Sequence, residues 1–75
     1  MPRSQRDTFD RIIGANMRRL RLARDMSQAE LGAYLPVTSR QIQKYERAIS
    51  RVAAADLARL AFALRCRLED FFKTN

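Results

Sequence analysis

Apolar residues recur along the first part of this chain at the spacing of an amphipathic helix. Ile13, Met17 and Leu20 stand at i, i+4 and i+7, which predicts one buried stripe on a helix from about Asp10 to Arg24. Residues 1–8 show no apolar period and are predicted to form a flexible basic arm, which is either a frayed end or a segment that reaches a phosphate or a minor groove. Residues 9–75 then form the folded domain.

The polar pattern after the first helix predicts a second, shorter helix. Ser27 is a good N-cap, and Glu30 stands three residues later, where it completes a capping box. Gly32 is predicted to let a neighbouring helix approach closely. Pro36 ends this helix, because the residue before a proline avoids helical dihedrals.

A second capping signal follows at once and predicts a third helix over about residues 39–47. Thr38 can cap it, with Gln41 at the matching position three residues later. Two such signals eleven residues apart (27 and 38), joined by a tight turn, are typical of a helix-turn-helix over residues 27–47.

The third helix has an unbalanced surface. Ile42, Tyr45 and Glu46 fall on one side, whereas the opposite side holds three cations and one amide without any acid. Many charged helix faces are simply solvated, but a solvated face usually mixes the two signs. Arg and Gln carry planar donors and acceptors that match guanine and adenine edges, so the pattern favours nucleic-acid contact. The outer residues are Arg40, Gln43, Lys44 and Arg47.

Two further helices are predicted, over about residues 53–64 and 68–73. Leu57, Leu60 and Leu64 give the fourth helix its apolar stripe. Adjacent phenylalanines on the short last helix cannot both enter one core, and an exposed ring often marks an interface. The alternative, that both rings complete the core of a single copy, is left open. The residues predicted to join two copies are Leu68, Phe71 and Phe72, together with Phe62.

Composition limits the function of this 75-residue chain. Its net charge of +7 and pI near 11.1 predict a polyanionic partner. No histidine is present, and Cys66 is the single cysteine, so neither a zinc site nor an internal disulfide is expected. We find no enzyme constellation and no cofactor motif. The sequence also lacks a membrane-spanning apolar run and a signal peptide, which indicates a cytoplasmic protein without membrane association.

The central stretch resembles a known family. SQAELGAYL followed by VTSRQIQKYER is similar to the Cro and repressor-type helix-turn-helix domains (XRE family) of bacterial regulators and lambdoid phages. The similarity extends from IIGANMRRLR to LARLAFALRCRLEDFF. The resemblance implies an all-α, compact five-helix lambda-repressor-like DNA-binding domain with a central helix-turn-helix.

The resemblance also implies roles for individual residues. Arg21 and Glu46 are expected to form a structural ion pair between the first and third helices. Gln28 is expected to bind a DNA phosphate and to brace the recognition helix, and Arg51 is expected to lie along the phosphate backbone. With helix geometry added, the expected phosphate contacts are Gln28, Thr38, Arg47 and Arg51. The expected base contacts are Ser39, Arg40, Gln43 and Lys44.

Three positions depart from the family pattern. Pro36 occupies a turn position usually held by glycine, and it cannot adopt a positive φ. Ala48 and Arg65 stand where glycine commonly ends a helix, so a left-handed conformation there would cost about 1–2 kcal/mol each.

These patterns together predict a sequence-specific transcription regulator, by default a repressor. It would bind double-stranded DNA at a palindromic operator as a homodimer, with a regulatory protein as a further partner left open. The origin expected is bacterial, nucleoid-associated, or phage-encoded. The alternatives are a protein-interaction module, such as an antitoxin-like partner, and a non-specific nucleic-acid binder with steep salt dependence.

Overall fold

Helices are the only regular secondary structure in the described part of the chain. A computed structural model describes the backbone of residues 3–74 and the side chains of residues 8–74. Within that range lie no strands, only four α-helices and one 3-10 helix, so the all-α prediction is confirmed, with a 3-10 helix in place of a fifth α-helix. The elements are α1 (Arg3–Ala23), α2 (Gln28–Ala33), α3 (Ser39–Glu46), α4 (Ala54–Leu64) and the C-terminal 3-10 helix (Leu68–Phe72).

The start of α1 differs from its predicted start. The helix begins at Arg3 instead of near Asp10, so residues 3–8 of the predicted arm are helical, and Met1 and Pro2 lie outside the described residues. Apolar periodicity predicts only those helical turns that carry an apolar stripe, and residues 3–8 include no apolar residue. The pattern therefore predicts a later start than the helix has.

The core lies where the five elements meet. Ile13 and Leu20, predicted on the buried stripe of α1, are partly buried and flank Met17, which is fully buried. Burying a large aliphatic or aromatic side chain contributes about 1.5–3 kcal/mol, so this one cluster supplies most of the driving force for folding. Its fully or nearly buried apolar members are Met17, Leu31, Leu35, Ile42, Tyr45, Leu60, Ala61, Leu64 and Phe71.

Three non-glycine residues within the described range 3–74 adopt a left-handed backbone. Ala48 (φ 60°) and Arg65 (φ 52°) do so at the two positions where glycine commonly ends a helix in the family, and Asp25 (φ 57°) is a third case that the sequence analysis missed. The left-handed turn at Ala48 lets the Ile49 amide donate to the Lys44 carbonyl at 2.9 Å, which satisfies a helix end.

The turn between α2 and α3 accommodates Pro36 without a left-handed residue. The Gly32 carbonyl accepts the amide of Leu35 at 3.1 Å and that of Val37 at 2.8 Å, so the turn closes on either side of the proline. A proline has no amide hydrogen to donate, and this arrangement does not require one.

Candidate nucleic-acid interface

Side-chain caps fix where α2 and α3 begin. The Glu30 amide donates to Ser27 Oγ at 3.0 Å, and the Ser27 amide donates to Glu30 Oε1 at 2.7 Å, which is the predicted capping box. Those bonds from Ser27 hold the pKa of the Glu30 carboxyl below its usual range. At α3 the Gln41 amide donates to Thr38 Oγ1 at 3.1 Å. Both helices of the helix-turn-helix therefore start where the sequence predicts.

Two glycines set the distances around α3. A Cβ at Gly32 would lie 2.5 Å from the Val37 carbonyl oxygen, in the turn that leads into α3. A Cβ at Gly14 on α1 would lie 2.5 Å from the Tyr45 carbonyl oxygen and 2.7 Å from that of Glu46. No real Cβ comes so close to a backbone oxygen, so both contacts require glycine. The role of Gly14 was missed, because one glycine inside a helix does not reveal which helix it meets.

A nearly buried ion pair joins α1 to the end of α3. Arg21 Nε lies 2.7 Å from Glu46 Oε2, and Arg21 Nη2 lies 3.1 Å from Oε1, so the contact is bidentate. The two side chains are only 9% and 2% exposed. Arg21 Nη1 also donates to the Met26 carbonyl at 2.8 Å, and Gln28 Nε2 donates to Glu46 Oε1 at 3.2 Å. Gln28 thus ties the start of α2 to α3.

The two sides of α3 have different surroundings. Ile42 and Tyr45 are buried in the core, so the opposite side of the helix faces away from the protein. Lys44 and Gln28 are half-buried. The remaining predicted contact residues are exposed, namely Thr38, Ser39, Arg40, Gln43, Arg47 and Arg51. The side of α3 opposite the core therefore carries the exposed cation Arg40 and the exposed amide Gln43.

The loop after α3 folds back on that helix. The amides of Ile49 and Ser50 both donate to the Lys44 carbonyl, at 2.9 and 3.3 Å. Next in the chain is Arg51, whose Nε lies 3.4 Å from Asp10 Oδ1 on α1. Nothing in the sequence predicts this acid beside Arg51, because the two residues are 41 positions apart.

The C-terminal phenylalanines point in opposite directions. Phe71 is fully buried, whereas Phe72 and Leu68 are exposed, and Phe62 on α4 is 80% exposed. The prediction that Phe71 joins two copies is wrong, because its ring completes the core of a single copy. Asn16, a buried residue of α1 that the sequence analysis did not single out, donates from Nδ2 to the Phe71 carbonyl at 2.8 Å.

Other chemistry is sparse over residues 8–74. Cys66 is half-buried against the core, and burial, aided by the nearby Asp70 charge, raises the pKa of its thiol. A thiol with a raised pKa is a poor nucleophile at neutral pH. No three His, Cys, Asp or Glu side chains in this range are grouped as a metal ion would require. None of the described helices is long and apolar enough to cross a bilayer.

Comparison with known proteins defines the class. A family model described as helix-turn-helix matches residues 17–71, so this chain belongs to the helix-turn-helix family, as the resemblance predicts. An uncharacterised HTH-type transcriptional regulator of Rickettsia conorii is 39% identical over 65 residues, which are 87% of this chain and 52% of that protein. One of Sinorhizobium fredii is 37% identical over 71 residues, or 95% of this chain and 50% of that protein.

A third relative is shorter. It is an uncharacterised transcriptional regulator in the ATPase CF(0) region of Rhodospirillum rubrum, 35% identical, with 96% of this chain and 69% of that protein covered. The chain spans about half the length of the Rickettsia and Sinorhizobium relatives it matches. No solved structure matches it.

Proposed function

We propose that this chain is the DNA-binding domain of a transcription regulator and that it reads sequence through α3. The observation that carries the proposal is the surface of α3. Its inner side is locked by buried Tyr45 and by the Glu46–Arg21 pair, while Arg40 and Gln43 stand exposed on its outer side. A rigid helix with free planar donors matches what major-groove readout needs. The relatives named above are all described as transcriptional regulators, which supports the same class.

Phosphate contacts would position the domain without reading sequence. Gln28 can bind a phosphate and keep its bond to Glu46, because Nε2 carries two hydrogens and only one of them is donated to Glu46. The proposed phosphate contacts are Gln28, Thr38, Arg47 and Arg51. Thr38 and Arg47 cap the two ends of α3, Gln28 donates to Glu46 of that helix, and Arg51 follows in the next loop. Phosphate contacts from these four residues would hold the helix against the groove.

Base contacts would come from the outer side of α3. Arg40 is our choice for a bidentate contact to guanine, which is worth about 1–3 kcal/mol of discrimination against another base. Gln43 has the amide that matches adenine. The full proposed set is Ser39, Arg40, Gln43 and Lys44.

A homodimer on a palindromic operator would double the contact surface. We assign the contact between copies to Leu68 and Phe72, together with Phe62, because all three side chains are apolar and exposed. Phe71 is left out because it is buried. The half-sites would lie about 34 Å apart, one turn of DNA. Such a dimer would repress transcription by blocking polymerase. It would act in the cytoplasm of a bacterium, with its gene carried by the host or by a phage, and a regulatory protein is a further proposed partner.

Selection of binding sites from a random duplex pool, at near-physiological salt, tests this function. An enriched palindrome is the expected result. Retention of DNA with no enriched motif would instead indicate a charge-driven nucleic-acid binder. Failure to retain DNA at all would favour a protein-interaction module, for which the exposed Phe62 and Tyr34 rings are the supporting observation.

Two substitutions separate reading from positioning. We expect Arg40→Ala to weaken binding to the selected site by about 1–3 kcal/mol and to relax preference at one base pair. Arg51→Ala should weaken binding to all sequences alike and lower the salt slope by about 1. Fluorescence anisotropy on selected and scrambled duplexes measures both. Equal losses on the two duplexes for Arg40→Ala would refute its assignment to a base.

A further inference from the structure

Asp10 is an acid placed beside a proposed DNA contact. Its Oδ1 lies 3.4 Å from Arg51 Nε, and the carboxylate side chain is only 16% exposed while that of Arg51 is 51% exposed. The chain holds eight acids against fifteen Lys and Arg residues. An acid near a surface that binds phosphates ordinarily weakens binding by repulsion, so its presence there needs a reason.

The packing of α1 explains how Asp10 reaches the loop. Gly14 marks the place where α1 meets the end of α3, because its missing Cβ would touch the Tyr45 carbonyl. Asp10 lies one helical turn before Gly14 on the same side of α1. It therefore projects past the end of α3 toward the loop that carries Arg51.

The Asp10–Arg51 ion pair is too long and too exposed to contribute much to the stability of the fold. A distance of 3.4 Å is long for a charge-assisted hydrogen bond, and half-exposed ion pairs contribute little to folding. The loop around Arg51 has no regular secondary structure, so an unheld arginine there would sample many rotamers. Contact through Nε restricts the guanidinium while its other nitrogens keep donors for a second partner.

We propose that Asp10 is a positioning residue for DNA binding, which holds Arg51 in the orientation that meets a backbone phosphate. This inference rests on the proposed function. Asp10 lowers the entropy that Arg51 loses on binding, and this gain exceeds the repulsion between its carboxylate and the phosphates. The sign of the effect is thus opposite to that of simple charge repulsion.

A double-mutant cycle on the full chain tests the proposal, with anisotropy titrations on the selected duplex. Asp10→Asn should weaken binding by about two- to fivefold, although it makes the protein more positive. In the Arg51→Ala background, the same change should give no loss, because the side chain that Asp10 orients is gone. Asp10→Glu keeps a carboxylate on the same turn and should retain binding to within about twofold.

Glu69→Gln is the matched control. It removes one negative charge from an exposed position on the C-terminal 3-10 helix and should leave binding unchanged or slightly tighter. Far-UV circular dichroism and the melting temperature report whether each variant is folded. If Asp10→Asn binds as tightly as Glu69→Gln, or if it weakens binding equally without Arg51, the positioning role is overturned. If the wild-type chain selects no duplex, the proposed function fails as well.

Discussion

Replacing Arg21 by methionine removes one partner of the ion pair that joins α1 to α3. Methionine keeps much of the apolar stem, so the change isolates the loss of the guanidinium. Glu46 would remain at a site where its side chain is 2% exposed, with the Gln28 amide as a neutral donor at 3.2 Å. A buried charge left with such partial compensation is strongly unfavourable.

The burial of the Arg21–Glu46 pair sets the expected loss of stability. Breaking a buried pair by removing one partner costs about 3–5 kcal/mol. A domain of 75 residues has a free energy of unfolding of about 4–11 kcal/mol at typical values per residue. We therefore expect Arg21→Met to lose about a quarter or more of the total stability. With an m-value near 1 kcal/mol/M, the urea midpoint should fall by about 3–5 M, or the chain should already be unfolded without urea.

An exposed pair on the same protein provides the control. Arg59 Nη1 lies 2.9 Å from Asp56 Oδ1, nearly the distance of the buried pair, but those side chains are 53% and 22% exposed. Arg59→Met should cost less than about 1 kcal/mol, because water screens an exposed pair. The comparison holds the distance nearly constant and changes the burial.

Urea titrations followed by far-UV circular dichroism at neutral pH measure these differences. The double variant Arg21→Met with Glu46→Leu should recover most of the stability, since an apolar pair of similar size can replace a buried ion pair. If Arg21→Met lost less than about 1 kcal/mol, or if the double variant lost as much as the two single variants summed, the reasoning from burial would be wrong.

Three further changes test the backbone and the C-terminal contact. Gly14→Ala should destabilise by about 1–2 kcal/mol, because overlap with the Tyr45 carbonyl outweighs the helix propensity of alanine; equal stability would contradict it. Ala48→Gly should stabilise the fold by about 0.5–1 kcal/mol, because glycine adopts the left-handed backbone without the steric strain of alanine. A thermal melt would show this as a rise of several degrees in the melting temperature. Asn16→Ala should cost about 2–3 kcal/mol in a urea titration, because the buried Phe71 carbonyl loses its donor; a loss below about 0.5 kcal/mol would argue that water replaces the amide.

The sequence predicted those parts of the fold that depend on local signals. Ser27 and Thr38 cap the helices that were expected from their side chains, and the left-handed backbone of Ala48 follows from its place after α3. The pairing of Arg21 with Glu46 came from the family resemblance, and the structure contains that pair. Local chemistry and resemblance were therefore enough to outline the helix-turn-helix.

The missed features depend on how distant segments meet. Asp10 and Asn16 find their partners 41 and 55 or more positions away, and nothing near either residue indicates which group it will contact. The adjacent phenylalanines show the same limit. Their spacing predicts that one enters the core and the other does not, but only the packing of the last helix decides that Phe71 is the buried one.

The contacts that α1 makes with the rest of the chain bear on the order of folding. Arg24 donates to the carbonyl of Leu64, which is 40 positions away, and Asn16 donates to carbonyls 55 and 57 positions away. Within this domain α1 is thus synthesised first, and these partners of α1 are synthesised last. A nascent chain that ends after α3 would already contain the α3 partner of α1, but it would lack the core side chains Leu60, Leu64 and Phe71. The domain should therefore become protease-resistant only when the C-terminal 3-10 helix emerges.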